Sequence, residues 1–536
     1  MARAAAAHRA AERRLAPELL QVLAEQQAHL PASDASAAHL SALAAGGTAV
    51  VATGQQVGLF LGPLYAFYKA ASAVAVARAI EAESGVRCVP LFWLQTEDHD
   101  FAEIAGCRVA GRDGEPVQLA LGGDARRISV AQRKLGAEVT GLLDRLAEAL
   151  EPGPAADEVL AVLRAHYQPG QGMAAAFASV MASVFADEGL LIFDPRDARV
   201  AALAAPIYRT ALTNADAIEQ SLRERKTALE AAGFDAQVAV RERGALVFFH
   251  QGSAAGPRFR IQRYRDGRGW PAWALAGHPE TISDDDLLAI LARDPLRFST
   301  SALLRPVVQD ALLPTVAYVG GPGEINYFAQ LGPLYQHFGI APPLLVPRTR
   351  FRCVDVRTRR RLGQLGLNAA DLSAPEEDLR ARLTWSRPPG CPDPNQLRAM
   401  VATQILPVVE SIADAVVACD SSLPQLPSLP NLPNLPNLPN LPNLQRLAQR
   451  TRAGVAYRLE RLIDRFANAL AERDQTTQRR LHRVVLALQP DGVPQERFYA
   501  WPSLAGRLGS DAFKRLVLGK LASAGPFVTE VQELQA

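Results

Sequence analysis

The sequence predicts an α/β protein with a mainly parallel, doubly wound core, followed by an α-helical antiparallel coiled-coil domain. Three observations predict this. Short apolar runs alternate with helix-period stretches between residues 48 and 346, which is how βαβ units are written. Glycine-rich turns close several of those runs. From residue 375 onward the alternation stops, and apolar residues recur every third or fourth position, the spacing of a helical seam. At 536 residues the chain is too long for one core, so about three domains, or one core with large insertions, are expected.

The elements follow in order. Residues 1–45 are alanine-rich, with Leu15, Leu19, Leu20 and Leu23 at helical spacing. Residues 48–52 are apolar and partly β-branched, a short buried strand. The loop TGQQVGLFLGP (53–63) is punctuated by glycine, Pro63 suits a first helical turn, and 64–82 is a strong helix pattern. A second strand, 86–94, completes a βαβ unit. Helix patterns at 141–151 and 155–166 precede a strand at 189–193, and 199–232 reads as helical. Residues 236–267 alternate and turn at glycine, so they read as antiparallel hairpins inserted into the core. Strands at 313–319 and 344–346 flank a helix beginning near Ile325.

Beyond 375, Leu397, Val401, Ile405, Val408, Ile412 and Val416 form one seam. Val455, Leu459, Leu462, Phe466 and Leu470 form another, continued by Leu481, Val484 and Leu488. Pro407 is expected to kink the first helix. Residues 423–443 are seven Leu-Pro triplets, a polyproline-II composition. The tract reads as a low-complexity expansion at the coiled-coil tip or as a ligand for a proline-reading partner. Residues 491–536 are expected to pack on the core.

Half the chain is apolar (49%) and 21% is charged, a globular composition that excludes disorder for the bulk of it. No run of about 18 apolar residues predicts a membrane span, and Arg9, Arg13 and Arg14 break up the N-terminal alanines, against a secretory signal. A net charge of +2 argues against a dedicated nucleic-acid binder. Cys88, Cys107, Cys353, Cys391 and Cys419 are odd in number and form no CxxC pair. Neither a disulfide framework nor a zinc ribbon is expected, no metal site is predicted, and a cytoplasmic location is.

Ligands of doubly wound sheets bind beyond the carboxyl ends of the strands, and three loops fall there. The first is 53–65. Gly54, Gly58 and Gly62 allow close backbone approach, and the following helix aims its N-terminus at a phosphate or carboxylate. Gln55, Gln56, Tyr65 and Lys69 supply polar atoms. It is neither GxGxxG nor a P-loop, and a tight turn with satisfied amides is the competing reading. The second loop, Glu97-Asp98-His99-Asp100, crowds three carboxylates and an imidazole. It is either a solvated acidic turn or a site for a cation, metal or amine. Trp93 and Phe92, just before it, read as core rather than as base-stacking residues. The third, Gly320-Gly321-Pro322-Gly323-Glu324, resembles an anion-cradling nest before a helix, with Glu324 as a charge on the helix dipole. Arg305, Arg348 and Arg350 are further candidates for the same rim.

Four blocks in order carry a family resemblance: TGQQxGLFxGPLYxxxK (53–69), VPLFWLxxEDHDFxEI (89–104), LLRPVxQDxLLPTxAYVGGPGEINYxAQLxPLYxxFGI (303–340) and PLLVPR (343–348), with VPQERFY at 493–499. In these the chain resembles the BshC family, the cysteine-adding enzymes of bacillithiol biosynthesis. The resemblance implies a Rossmann-like core with inserted connecting-peptide segments, about 101–188 and 220–300 within a core of 1–374. It also implies a coiled-coil domain at 375–490 that makes a homodimer, and a core similar to class I aminoacyl-tRNA synthetases. The implied activity joins the cysteine carboxyl to the amine of glucosaminyl malate, the last step of the pathway. Such a carboxyl needs activation, and ATP is the candidate cofactor. The residues carried over are Glu97, Asp98, His99 and Asp100 as catalytic. Thr53, Gly54, Gln55, Gln56, Gly62, Pro63, Tyr65, Lys69, Trp93, Arg305, Gly320, Gly321, Pro322, Gly323, Glu324 and Tyr327 bind substrate or nucleotide. Asp98 or Asp100 would hold the amine, with His99 as base or phosphate partner. No nucleic acid or membrane partner is implied. The rival reading is a non-catalytic, nucleotide-binding dimeric scaffold or sensor.

Overall fold

A computed structural model of the chain describes residues 1–234, 238–265, 269, 271–385, 394–422, 444–471 and 475–536. They divide into two compact units, Met1–Cys353 with Pro494–Ala536, and Val354–Val493. The sequence reading drew these lines at 375 and 490. Residues from 354 group with the helical unit because Leu362, Leu365, Leu372 and Leu379 pack with Leu481, Val484 and Leu488.

The first unit is built on five parallel strands: β1 (Thr48–Gln55), β2 (Arg87–Leu94), β3 (Leu191–Phe193), β4 (Thr315–Gly320) and β5 (Leu344–Pro347). Their order is β5-β4-β1-β2-β3. The chain winds outward from β1 in one direction and then in the other, so the order reverses between β1 and β4, where such sheets bind ligands. Val50, Val51 and Ala52 are fully buried, so β1 reads as a continuous apolar run rather than an alternating one. The helix Tyr65–Ser84 ends on left-handed Gly85. Its Phe67, Ala70 and Ala71 pack into one core cluster and its Ala73, Val76 and Ile80 into another. Covered on both faces, it is rich in alanine because neighbours approach closely.

The loop between β1 and this helix needs its glycines. A Cβ on Gly58 would sit 1.8 Å from the Gly62 carbonyl oxygen. Pro63 lies before the helix rather than in its first turn, since the helix starts at Tyr65, and the Leu64 N–H donates to the Tyr499 carbonyl (2.7 Å).

Between β3 and β4 the chain forms an antiparallel sheet. Phe298–Thr300, Gly244–His250, Arg258–Arg265, Pro271–Leu275 and Thr281–Ser283 lie side by side in that order. The hairpin reading of 236–267 found two of these five strands. The other three are short, and the sequence reading assigned them no strand. A second hairpin, Gly106–Ala110 with Pro116–Ala120, was also missed. The stretch 199–232 is two helices, Ala198–Thr213 and Ala215–Ala231, which meet at Asn214.

In the second unit, Leu406–Ser422 and Leu444–Ala471 run in opposite directions. Arg398, on the preceding helix Pro394–Met400, pairs with Glu460 (2.7 Å) and Asp464 (3.1 Å), and Glu410 pairs with Arg452, so along 394–422 the partners on Leu444–Ala471 descend in number. A π-helical turn, Val401–Ile405, stands just ahead of Pro407, where the proline removes an N–H and crowds the preceding turn. Among the described residues the expected seams are not closed. Ile405, Val408, Ile412, Leu462 and Phe466 are exposed, while Ile463 and Ala467 are buried. The Leu-Pro tract at 423–443 lies outside the described residues. Among the described residues no helix is long and apolar enough to cross a membrane.

Candidate active site

The carboxyl ends of β1, β2 and β4 open into a cavity of about 560 Å³, the size of a small-molecule site. Its lining comes from all three predicted loops: Gln55, Tyr65 and Lys69; Trp93, Glu97, Asp98 and His99; Gly321, Gly323, Glu324 and Tyr327. Arg305, Arg348 and Arg497 complete it, and the antiparallel sheet contributes Phe248, Arg258 and Thr300.

One wall is a buried ionic network. Lys69 is fully buried, and its ammonium donates to Glu324 Oε2 (2.5 Å), to Gln55 Oε1 (3.1 Å) and to the Gly54 carbonyl. Burial lowers the Lys69 pKa, and Glu324 supports its charge. Glu324 resists the same burial through Lys69 and the Tyr318 hydroxyl (2.6 Å), and its carboxyl stays below the usual range. Arg305 donates to Gln309 (2.9 Å) and to the hydroxyls of Tyr318 (3.2 Å) and Tyr327 (3.3 Å). Arg348 stacks on Tyr65 and makes a bidentate pair with Glu496 (2.6 and 2.9 Å). Both charges of that pair are almost completely buried.

A second part of the lining carries the acidic loop. Asp98 accepts from Gln56 (2.8 Å) and from the His99 N–H (2.7 Å). Burial is the largest single influence and works against its charge, but the Arg258 guanidinium and the hydrogen bonds from Gln56 and the His99 N–H together outweigh it and lower its pKa. Arg258 Nη1 reaches His99 Nδ1 at 3.0 Å. Burial and this cation together lower the His99 pKa. Glu97 accepts from the Thr300 N–H (3.1 Å) and hydroxyl.

Several expected residues lie outside the lining. Asp100 caps the helix Phe101–Ile104 by accepting from the Glu103 N–H (3.4 Å), so it is a helix cap rather than a wall of the cavity. Thr53 donates to the Val319 carbonyl (2.8 Å) and ties β1 to β4. Gly54 meets Trp93 so closely that a Cβ would lie 2.8 Å from its carbonyl oxygen. Gln56 supports Asp98 from behind. Gly62 packs against Cys107 and Ala500, and Pro63 follows it in the loop. Gly320 accepts from the Arg348 N–H (2.7 Å), and Pro322 opens the helix Pro322–Phe328. Within the glycine loop the Gly321 N–H donates to Glu324 itself (2.8 Å), so that N–H of the expected anion nest is taken by the loop's own carboxylate. Trp93 both lines the cavity and packs edge-on against Phe193 (4.9 Å). Among the described residues no group of three His, Cys, Asp or Glu could hold a metal. Cys88, Cys107 and Cys353 are buried and form no disulfide among the described residues.

Arg258, Thr300, Phe248 and Arg497 escaped the sequence reading. Arg497 lies within the VPQERFY block, which was a signal for it. Arg258 is one of several arginines in an alternating strand, and nothing local marks it.

Sheet and cavity together define the class: a Rossmann-like α/β protein with a charged cleft at the switch point of its sheet. The family model "Bacillithiol biosynthesis BshC, N-terminal Rossmann-like domain" matches residues 2–349. The curated "Putative cysteine ligase BshC" of Salinibacter ruber is 32% identical over 92% of this chain and 85% of its own length. The protein of the same name from Koribacter versatilis is 32% identical over 93% and 86%. A solved chain from Campylobacter jejuni, described as a "putative arginyl t-RNA synthetase", aligns at 8% identity over 88% of this chain and 92% of its own, with a TM-score of 0.22, too low to define a shared fold. The chain belongs to the BshC family of bacillithiol biosynthesis, and it is a ligase.

Proposed function

We propose that the chain joins the carboxyl group of cysteine to the amine of glucosaminyl malate, forming the amide that completes bacillithiol. A carboxylate and an ammonium do not condense at neutral pH, so the carboxyl is activated first. ATP suits this step: the carboxylate displaces pyrophosphate to give an acyl adenylate, and the amine then displaces AMP. The observation that carries the reading is the cavity's division of charge. Glu97 and Asp98 stand on one wall, fit to hold an ammonium. Arg497, which has no ion-pair partner among the described residues, faces the same space beside Arg348, fit to hold a carboxylate or phosphate. Lys69 and Glu324 neutralise each other within their own wall. The test is purified protein given cysteine, glucosaminyl malate and ATP. Thiol product with stoichiometric AMP supports the ligase. Nucleotide binding without product from folded protein favours the scaffold reading.

The functional unit in this proposal is a homodimer paired through the second unit. Five seam residues stand exposed at helical spacing, and a second copy of the same seam is their simplest cover.

A further inference from the structure

The acidic wall contains a run of hydrogen bonds whose directions can be worked out one after another. It starts at His250, fully buried on the strand Gly244–His250. Its Nδ1 lies 3.1 Å from the Gly256 carbonyl. A carbonyl only accepts, so Nδ1 carries the proton. Burial holds this ring neutral, its pKa pushed down to about 3, so Nε2 is an acceptor. The Ser299 hydroxyl, 3.3 Å from that Nε2, supplies the proton. Ser299 is free to give it because its oxygen accepts from Arg258 Nε (2.9 Å). Arg258 donates at every position. Its Nη2 goes to the Thr300 carbonyl (2.7 Å), and its Nη1 goes to His99 Nδ1 (3.0 Å). The guanidinium also lies over the Phe248 ring, 3.8 Å from its centre, so little freedom remains to turn it.

His99 Nδ1 therefore accepts. Its other neighbour, Asp98 Oδ1, lies 3.6 Å away, beyond hydrogen-bond reach, and that carboxylate is already served by Gln56, by the His99 backbone and, at 3.4 Å, by the same Arg258 Nη1. The neutral ring must carry its proton on Nε2, which has no partner among the described residues, while the side chain lines the cavity.

We infer that His99 works as a neutral Nε2–H donor to an anionic oxygen of the bound carboxyl or phosphate, not as a general base, and that Arg258 is the positioning residue that fixes this tautomer. The inference rests on the ligase reading for the identity of the acceptor, while the tautomer itself does not depend on it. Arg258 spends its hydrogen bonds on protein atoms and is not a substrate ligand.

Two measurements test this. In the full chain labelled with ¹⁵N-histidine, which has nine histidines, the His99 signals are assigned by their loss in His99→Gln. Nδ1 is expected at the unprotonated, pyridine-type position and Nε2 at the protonated, pyrrole-type position at neutral pH. Arg258→Gln should mix the two tautomers; if that variant does not fold, Ser299→Ala, which frees the Arg258 fork to turn, is read instead. The second measurement is product formation. A glutamine amide nitrogen reaches where Nε2 stands, and an asparagine nitrogen only where Nδ1 stands. A donor role predicts that His99→Gln loses about tenfold, while His99→Asn and His99→Ala lose about 10²–10³-fold in kcat, the scale of a missing oxyanion donor. A proton found on Nδ1, or His99→Gln as inactive as His99→Ala, overturns the inference. If the tautomer is as expected but the wild-type protein makes no product, the ligase reading fails and the hydrogen-bond run stands.

Discussion

Asp98 and His250 show how single side chains set the chemistry of the acidic wall. Asp98→Asn removes the charge that faces both Arg258 and the cavity. Product formation should fall about 10²–10³-fold, the scale of a lost charge contact in a desolvated site. Unfolding free energy should fall by about 1–3 kcal/mol, because Arg258 loses its charge partner but keeps Ser299 and Thr300. Near-normal product yield would remove Asp98 from the site. His250 makes a prediction about pH. Its folded pKa, about 3, lies far below the ordinary histidine value of about 6.5. The unfolded chain therefore binds a proton in that window and the folded chain does not. Stability is fully present above about pH 6.5 and is lost as pH falls toward 3, at up to about 1.4 kcal/mol per pH unit. His250→Asn keeps a donor for the Gly256 carbonyl without a titrating ring. Urea unfolding at pH 7 and pH 5 should show a shallower loss in this variant than in the wild type, and equal losses would assign the slope to other groups.

At the scale of elements, the buried pair Arg348–Glu496 links the strand region after β5 to the short helix Gln495–Phe498. Glu496 also accepts from the Phe351 N–H (3.1 Å), while the neighbouring Gln495 exchanges hydrogen bonds with the Cys353 backbone. Glu496→Gln leaves a guanidinium buried without its counter-charge, a loss of about 3–5 kcal/mol. Chemical denaturation should detect it, and a change under 1 kcal/mol would show that water reaches the site. The strands of the core sheet were legible because apolar runs end at glycine or at polar clusters. The partners of the site were not. Glu324 reads locally as a charge on a helix dipole, yet its partner Lys69 lies 255 residues away. Arg258 reads as an ordinary strand residue until the fold brings it beside Asp98, 160 residues distant. Asp100 is the opposite case. Asp followed three residues later by Glu is a helix-start signature, so its capping role was written in the sequence and was outweighed by the crowding of acids around it.

For the whole molecule, composition and periodicity separated a Rossmann-like part from a helical part, but not the line between them, which depends on which leucines pack together. The exposed seam of Ile405, Val408, Ile412, Leu462 and Phe466 makes the oligomer testable. Light scattering should give twice the chain mass of 57.6 kDa. Ile412→Glu with Phe466→Glu should give the monomer, because charges on an apolar seam are costly to bury. Deleting 423–443 and closing the gap with a short polar turn should leave the dimer intact, since the Leu-Pro triplets carry no heptad. A monomeric wild type refutes the pairing outright.

The pairing of Arg348 with Glu496 also sets an order of events during synthesis. The two residues are 148 positions apart. At roughly 5–20 residues per second, a ribosome takes about 7–30 s to travel from one to the other. Through that interval the nascent chain holds every strand of the parallel sheet but lacks the counter-charge for an arginine in its cleft and the carbonyl of Tyr499 that caps the Leu64 N–H. The cleft is thus completed late, after the whole helical unit has left the ribosome, and a nascent chain arrested before residue 494 carries a sheet without a finished site.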